Sequence, residues 1–266
     1  MLRGAPIIGE MVMKTSLAGL AAALALLLSA SPALAGPSQV SPAITATKGR
    51  AAEHVKLDDL RKPSEILAFA DFAKGDTIVD LMPGTGYYSE LLSRVVGPKG
   101  TILAVEPAPS YDNDKARAAW QRLVADYPNV QLMPIDFRGL ALAPDSVDGM
   151  MLHMVFHDLY WQSEQYKFPR LDVAAVLANF YRAVRPGGTV VVVDHVGPAG
   201  DTRDVVEKFH RIDPQTARSA LEAAGFVFDG ESDVLINTSD DMTKSVFDPA
   251  VRGKTSRFAY RFKKPE

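Results

Sequence analysis

The sequence predicts an α/β protein whose core is a doubly wound sheet of seven strands, mostly parallel, with the last strand antiparallel. Three observations predict it. Short apolar runs alternate with helical segments through the middle of the chain, the pattern of a parallel sheet with helices on both faces. The runs "TIVDL", "TILAVEP" and "TVVVVDH" are apolar almost without interruption, as strands covered on both faces must be. The last two runs, "FVFDGESDVL" and "SRFAYRF", have only a loop of about residues 237–252 between them. Without a crossover helix a strand cannot return parallel, so the seventh is expected to reverse. The whole is Rossmann-like.

The elements follow in order. "LDDLRKPSEILAFADF" (57–72) predicts a helix restarted at Pro63, because proline is tolerated only in a first turn. Strand one is expected over 77–81, a helix over 87–96 ended by Gly97-Pro98, and strand two over 101–107. Helix 112–126 and strands 130–136 and 147–155 come next. Helix 171–184 is expected to stop at "RPGG" (185–188), before strand five over 189–195. Helix 214–224 opens on Asp213-Pro214, a side-chain cap followed by a first-turn proline.

The amino terminus has another purpose. Lys14 precedes the apolar run Leu17–Leu28, and Ala33-Leu34-Ala35 offers a small-residue cleavage site. Residues 1–35 therefore read as a secretory signal peptide, with Met11 or Met13 as alternative starts. The uncharged stretch Thr15–Pro32 has 18 residues, the lower limit for a membrane helix, so an uncleaved anchor is the one route to a membrane. Residues 36–50 read as a Pro/Ser/Ala/Thr-rich linker, and 51–266 as the single folded domain. Export, in a bacterium to the periplasm, is the expected destination.

Composition narrows the function. The chain has 266 residues, 47% hydrophobic and 23% charged, with a net charge of −3. No basic field draws it to nucleic acid. Cysteine is absent, which excludes disulfides, thiolate metal sites and a cysteine nucleophile.

In an open α/β sheet, ligands bind beyond the carboxyl ends of the strands. "VDLMPGTGYYSELL" (79–92) carries strand one into a Gly84-Thr85-Gly86 turn there. Glycine lets a backbone approach a ligand where a Cβ would collide. Asp80 precedes the turn, and Glu106 ends strand two, where an acid can accept from both ribose hydroxyls. Asp136-Phe137 follows strand three and is placed to flank an adenine ring. A plain strand-to-helix turn and a solvated strand end are the bland alternatives.

The ordered set Asp80, Gly84-Thr85-Gly86, Glu106, Asp136 and "RAVRPGG" resembles the class I methyltransferases that use S-adenosylmethionine. The likeness runs from about residue 66 to 262. The strings "DLMPGTGYYSELL", "VEP", "FHDLYW", "VVDH" and "FHRID" resemble a group of bacterial predicted methyltransferases, often exported. The resemblance implies S-adenosylmethionine as cofactor. Asp80, Gly84, Thr85 and Gly86 would hold its methionine end, Glu106 its ribose, and Asp136 with Phe137 its adenine. Two departures stand out. Met82 occupies a position where the family carries glycine, beside Pro83, and its side chain would narrow the space for the methionine portion. Ser89 stands where a dinucleotide fingerprint has its third glycine, which argues against NAD.

A second constellation lies at the same edge: His157-Asp158 after strand four, Asp194-His195 ending strand five, and His210-Arg211 with Asp213 beyond. Three readings stay open. A histidine acts as general base at its ordinary pKa near 6.5. The set binds a divalent metal. Or it is a structural network in which Asp194 or Asp213 caps a helix or pairs with Arg211. The catalytic candidates are His157, Asp158, Asp194 and His195, with no metal assigned. His153, inside strand four, reads as structural, and His54 belongs to no motif. The aromatic cluster 156–161 with Tyr166 and Phe168 lines a pocket or simply packs. Residues 61–65 form a cap over the site or a solvated helix face.

The resulting expectation is a methyltransferase acting on a small molecule rather than nucleic acid. Export opposes it, because the donor is made in the cytosol. The alternatives are an exported, methyltransferase-like binding module without transfer activity and an NAD-linked oxidoreductase.

Overall fold

A computed structural model of the protein describes residues 41–266. The signal expected over 1–35 and the first part of the linker lie outside them. Ten α-helices appear among the described residues: α1 Pro42–Thr45, α2 Ala52–Val55, α3 Asp58–Arg61, α4 Pro63–Ala70, α5 Tyr87–Val96, α6 Ala108–Tyr111, α7 Asp114–Asp126, α8 Val173–Ala183, α9 Thr202–Phe209 and α10 Pro214–Ala223. Seven strands accompany them: β1 Thr77–Leu81, β2 Thr101–Pro107, β3 Val130–Ile135, β4 Val147–His153, β5 Val184–His195, β6 Val227–Ser232 and β7 Arg257–Lys263. None of the described helices is long and apolar enough to cross a membrane.

The strands form one sheet in the order β3-β2-β1-β4-β5-β7-β6. β1 to β5 pair in parallel, and β7 lies antiparallel between β5 and β6, as the missing crossover helix requires. The order reverses between β1 and β4. That is the switch point where the carboxyl ends open into a crevice. One face carries α4, α5 and α7, packed through Ile66, Leu91, Leu92 and Trp120. The other carries α8 and α10, packed through Leu177, Phe180 and Leu221.

Local chemistry explains the helix starts. Asn113, Asp172, Asp201 and Asp213 each cap a helix by accepting a backbone N–H of its first turn. Pro63 opens α4 after Lys62 turns left-handed.

Two expected boundaries move. "RPGG" was expected outside strand five, but β5 begins at Val184, which pairs with Val147 before a register shift to Gly149–Thr189. A bulge lets a Pro-Gly-Gly string stay within a strand. The linker expected over 36–50 is docked from Pro42 onward. Arg94 of α5 donates to the carbonyls of Ile44, Ala46 and Lys48, at 3.3, 2.7 and 2.9 Å. Arg50 is buried and paired with Asp58 and Glu90. Main-chain carbonyls make most of this contact, and any composition supplies those.

The two glycines of the turn do different work. At Gly86 (φ +83°) an added Cβ would lie 2.3 Å from Leu123 Cδ1 and 3.2 Å from Trp120, so this glycine lets α5 approach α7. At Gly84 (φ +60°) it would meet nothing within 4 Å. Gly86→Ala is therefore expected to cost about 2–4 kcal/mol, from left-handed strain plus overpacking, and Gly84→Ala about 1–2 kcal/mol from strain alone. Urea denaturation of the two variants checks the order.

Candidate active site

The turn after β1 is built from three left-handed residues, Met82 (φ +47°), Gly84 and Gly86. A side chain in that region is strained, which is why glycine is the expected residue at position 82. Met82 stays because its N–H donates to Val105 O at 2.7 Å and its side chain packs against the core. Neighbouring elements grip the rest of the turn. The Gly84 N–H donates to the Glu106 carboxylate at 3.1 Å, and Trp120 Nε1 donates to Gly84 O at 3.0 Å. Glu106, predicted to await a ribose, thus already touches the turn.

Beneath the turn lies a cavity of about 210 Å³, with Arg61, Asp80, Met82, Thr85, Tyr88 and His153 among its walls. Asp80 is buried and accepts from Ser89 Oγ at 2.6 Å. Ser89, notable in the sequence only as a missing glycine, holds this carboxylate. Burial lifts Asp80 to about 7, and Glu106 to about 8. Tyr88 OH and His153 Nε2 are buried without a hydrogen-bond partner, and their rings lie 4.5 Å apart. The Arg61 guanidinium has no hydrogen bond or ion pair among the described residues and stacks on Tyr87, 4.4 Å from the ring centroid. Buried polar groups without partners are rare, and a group converging on one cavity fits a polar ligand. An α-amino acid zwitterion, such as the methionine end of S-adenosylmethionine, matches a wall bearing both a carboxylate and a free guanidinium. His153, expected to be structural, lines this cavity, and α3 places Arg61 on the same wall.

The adenine expectation needs correction. Phe137 is buried in the core, its ring 5.9 Å from that of Phe168, so it offers no face to a ligand. Asp136 is exposed and engaged by Arg138, with its Oδ1 accepting from the Arg138 N–H at 3.0 Å. Sequence order placed both residues after β3 but said nothing of which way each side chain turns.

The histidine constellation does assemble. Asp194, fully buried at the end of β5, accepts from the backbone N–H of His157 at 2.8 Å and from that of His195 at 2.7 Å. The same carboxylate meets His157 Nδ1 at 2.8 Å. Asp158 approaches His157 Nε2 at 3.4 Å. Burial alone would depress His157, but Asp194 and Asp158 outweigh it and hold the ring up at about 9. Burial pushes His195 down to about 3 and His210 to about 4. His157 is thus held charged at neutral pH while His195 and His210 are held neutral, so none of the three keeps the ordinary value near 6.5. The His195 and His210 rings lie 6.0 and 5.8 Å from His157, and Trp161 and Phe247 pack against His210. No three acid or histidine side chains among the described residues are placed to hold a metal ion. Arg211 pairs with Asp240, not with Asp213 or Asp194, and Asp213 caps α10.

Sequence reasoning missed His54 and Glu90. His54 is buried, with Nδ1 3.0 Å from Glu90 Oε2 and Nε2 3.3 Å from Thr85 Oγ1. A histidine and a glutamate 36 positions apart leave no local pattern to detect.

Comparison with known proteins agrees with this geometry. Residues 79–192, from β1 to β5, match the profile of a family described as a methyltransferase domain. An arsenite methyltransferase of Halobacterium salinarum is 28% identical over 68% of this chain and 44% of its own. A 2-phytyl-1,4-naphtoquinone methyltransferase of Thermosynechococcus vestitus is 25% identical over 48% of this chain and 50% of its own. This chain thus spans about half the length of these curated relatives. A SAM-dependent methyltransferase from Aquifex aeolicus superposes with a TM-score of 0.55 at 20% identity, over 85% of this chain and 99% of its own. The fold is that of the class I methyltransferases, enzymes whose methyl donor is S-adenosylmethionine.

The Asp194–His157 pair sets a pH-dependent expectation. His157 is raised on folding, so its stabilisation is fully present below pH 6.5 and is lost as pH rises through about 9. Asp194→Asn is expected to destabilise by about 3–5 kcal/mol at pH 6 and by less at pH 9. Thermal melts of both proteins across that range measure it.

Proposed function

We propose that the protein is an exported S-adenosylmethionine-dependent methyltransferase that modifies a small molecule. The observation that carries this reading is the convergence of an unpartnered Arg61, Tyr88 OH and His153 Nε2 on one cavity with Asp80, under a turn gripped by Glu106.

Asp80, Gly84, Thr85 and Gly86, with Arg61, Tyr88 and His153, hold the methionine end. Glu106 takes the ribose hydroxyls, releasing the Gly84 N–H. Bound there, S-adenosylmethionine supplies a methyl group already activated on sulfur, so the protein's work is to align, desolvate and, where needed, remove a proton. Met82 and Met154 form apolar parts of the cavity wall.

His157, Asp158, Asp194 and His195 form the acceptor side. Asp194 fixes both histidines, through the ring of one and the main chain of the other. His195 Nδ1 meets Thr255 Oγ1 at 2.7 Å, which sets the ring's orientation. A depressed His195 is a weak base, so the arrangement suits an acceptor whose lone pair is already available at neutral pH. The net charge of −3 favours a small molecule over nucleic acid, and the relatives named for arsenite and a naphthoquinone act on small molecules.

Two measurements test the reading. Calorimetric titration with S-adenosylhomocysteine is expected to show micromolar affinity, weakened about tenfold or more in Glu106→Ala, because charge-assisted hydrogen bonds to the ribose are lost. Absence of binding by the folded wild type overturns it. Expression of the full chain in a bacterial host is expected to give periplasmic protein beginning at Gly36. A cytosolic product that keeps residues 1–35 overturns the export half.

A further inference from the structure

The cofactor turn contains a hydroxyl whose partner comes from outside the sheet. Thr85 stands between two left-handed glycines, and its Oγ1 lies 3.3 Å from His54 Nε2 on α2. The other ring nitrogen of His54 lies 3.0 Å from Glu90 Oε2 on α5. All three side chains are tied to one short segment. Glu90 also takes the Ala51 N–H at 3.0 Å and the Arg50 guanidinium, and Asp58 joins Arg50 to Tyr87 OH at 2.7 Å. His54 and Glu90 are buried. Thr85 lines both the 210 Å³ cavity and a larger groove of about 1170 Å³ between α2, α5 and α7.

We propose that His54 is a positioning residue for the cofactor: the row Glu90–His54–Thr85 holds the middle of the turn and directs the lone pairs of Thr85 Oγ1 into the cavity, as an acceptor for a cofactor N–H or O–H. The polarity follows from donor chemistry. A carboxylate only accepts, so Nδ1 of His54 carries the hydrogen toward Glu90. In the neutral ring Nε2 is then bare and accepts from the Thr85 hydroxyl. With its hydrogen committed to His54, Oγ1 can only accept on its cavity side. The row also serves the backbone. A turn flanked by glycines loses more conformational freedom on ordering than any other, and a side-chain tie at its centre removes part of that loss before the ligand arrives. The docked segment from Arg50 to Asp58 is on this view part of the binding site.

This inference rests on the cofactor reading above, and the test separates the two. S-adenosylhomocysteine is titrated calorimetrically into the wild type, His54→Asn, Thr85→Val and the double variant. Asparagine keeps an N–H in the place of Nδ1 for Glu90 but cannot reach Thr85, so the fold is retained while the row is cut. Each single variant is expected to weaken binding roughly three- to tenfold, and the double variant no more than the worse single, because the two share one interaction. Thr85→Ser and His54→Gln, which restore a polar atom at the lost position, are expected to recover most of the affinity. Unchanged affinity in His54→Asn, or an equal loss when it is added to Thr85→Val, overturns the inference. Should His54→Asn fail to melt cooperatively, Thr85→Val against Thr85→Ser decides, with equal affinities overturning it. A wild type that binds no S-adenosylhomocysteine overturns the cofactor reading itself.

Discussion

The site depends on one backbone constraint: at the tip of β1 the chain must turn out of the sheet and start α5 within five residues. It does so by left-handed steps at Met82, Gly84 and Gly86. Such a turn points main-chain N–H and C=O groups away from the ladder that would otherwise satisfy them. Groups from other elements answer three of them. Val105 O takes the Met82 N–H, Glu106 takes that of Gly84, and Trp120 covers Gly84 O. The Glu106 carboxylate, the proposed ribose ligand, is therefore also a brace of the turn.

A second fixed point lies where β4 and β5 end. Asp194 ends β5 and His157 follows β4, so parallel pairing of the two strands brings them together. A carboxylate buried this deeply demands a countercharge, and His157 supplies it. The same carboxylate organises two backbone N–H groups, so the charge pair sets the geometry of both strand ends. His157 is committed to this carboxylate, while His195 is held by the same Asp194 through its main-chain N–H and by Thr255 through its ring.

What the sequence disclosed and what it hid divide along physical lines. The strands were legible because burial on both faces leaves continuous apolar runs, and the reversed β7 was legible because a connection without a helix permits nothing else. The ordered acids and glycines were legible because parallel topology sends every strand's carboxyl end to one edge. Side-chain direction was not. Phe137 and Asp136 are neighbours, yet one enters the core and the other faces solvent beside Arg138. The docking of Pro42 to Arg50 was hidden because Arg94 reads carbonyls, which carry no sequence signature. Arg61, Tyr88, His153 and His54 come from four separate elements, and only the fold makes them neighbours.

The contrast between satisfied and unsatisfied groups locates the site more firmly than any single residue does. Several other buried charges are compensated closely. Arg50 has Glu90 and Asp58, Arg211 has Asp240 at 2.7 Å, and Asp194 has His157. Around the β1 turn that discipline lapses. Two carboxylates have their proton affinity raised by burial, a guanidinium has an aromatic face but no anion, and a phenol and an imidazole lack partners. Each of these costs on the order of 1–3 kcal/mol if left as it is. Such a cluster, in which a guanidinium, a phenol and an imidazole lack partners beside two raised carboxyls, is where a ligand would complete the compensation. The groups left over include an anion, a cation and neutral donors and acceptors, so the ligand must carry charge of both signs together with hydroxyl or amine hydrogens. S-adenosylmethionine, with its ammonium, sulfonium, carboxylate and ribose, meets that requirement, and an uncharged apolar ligand does not.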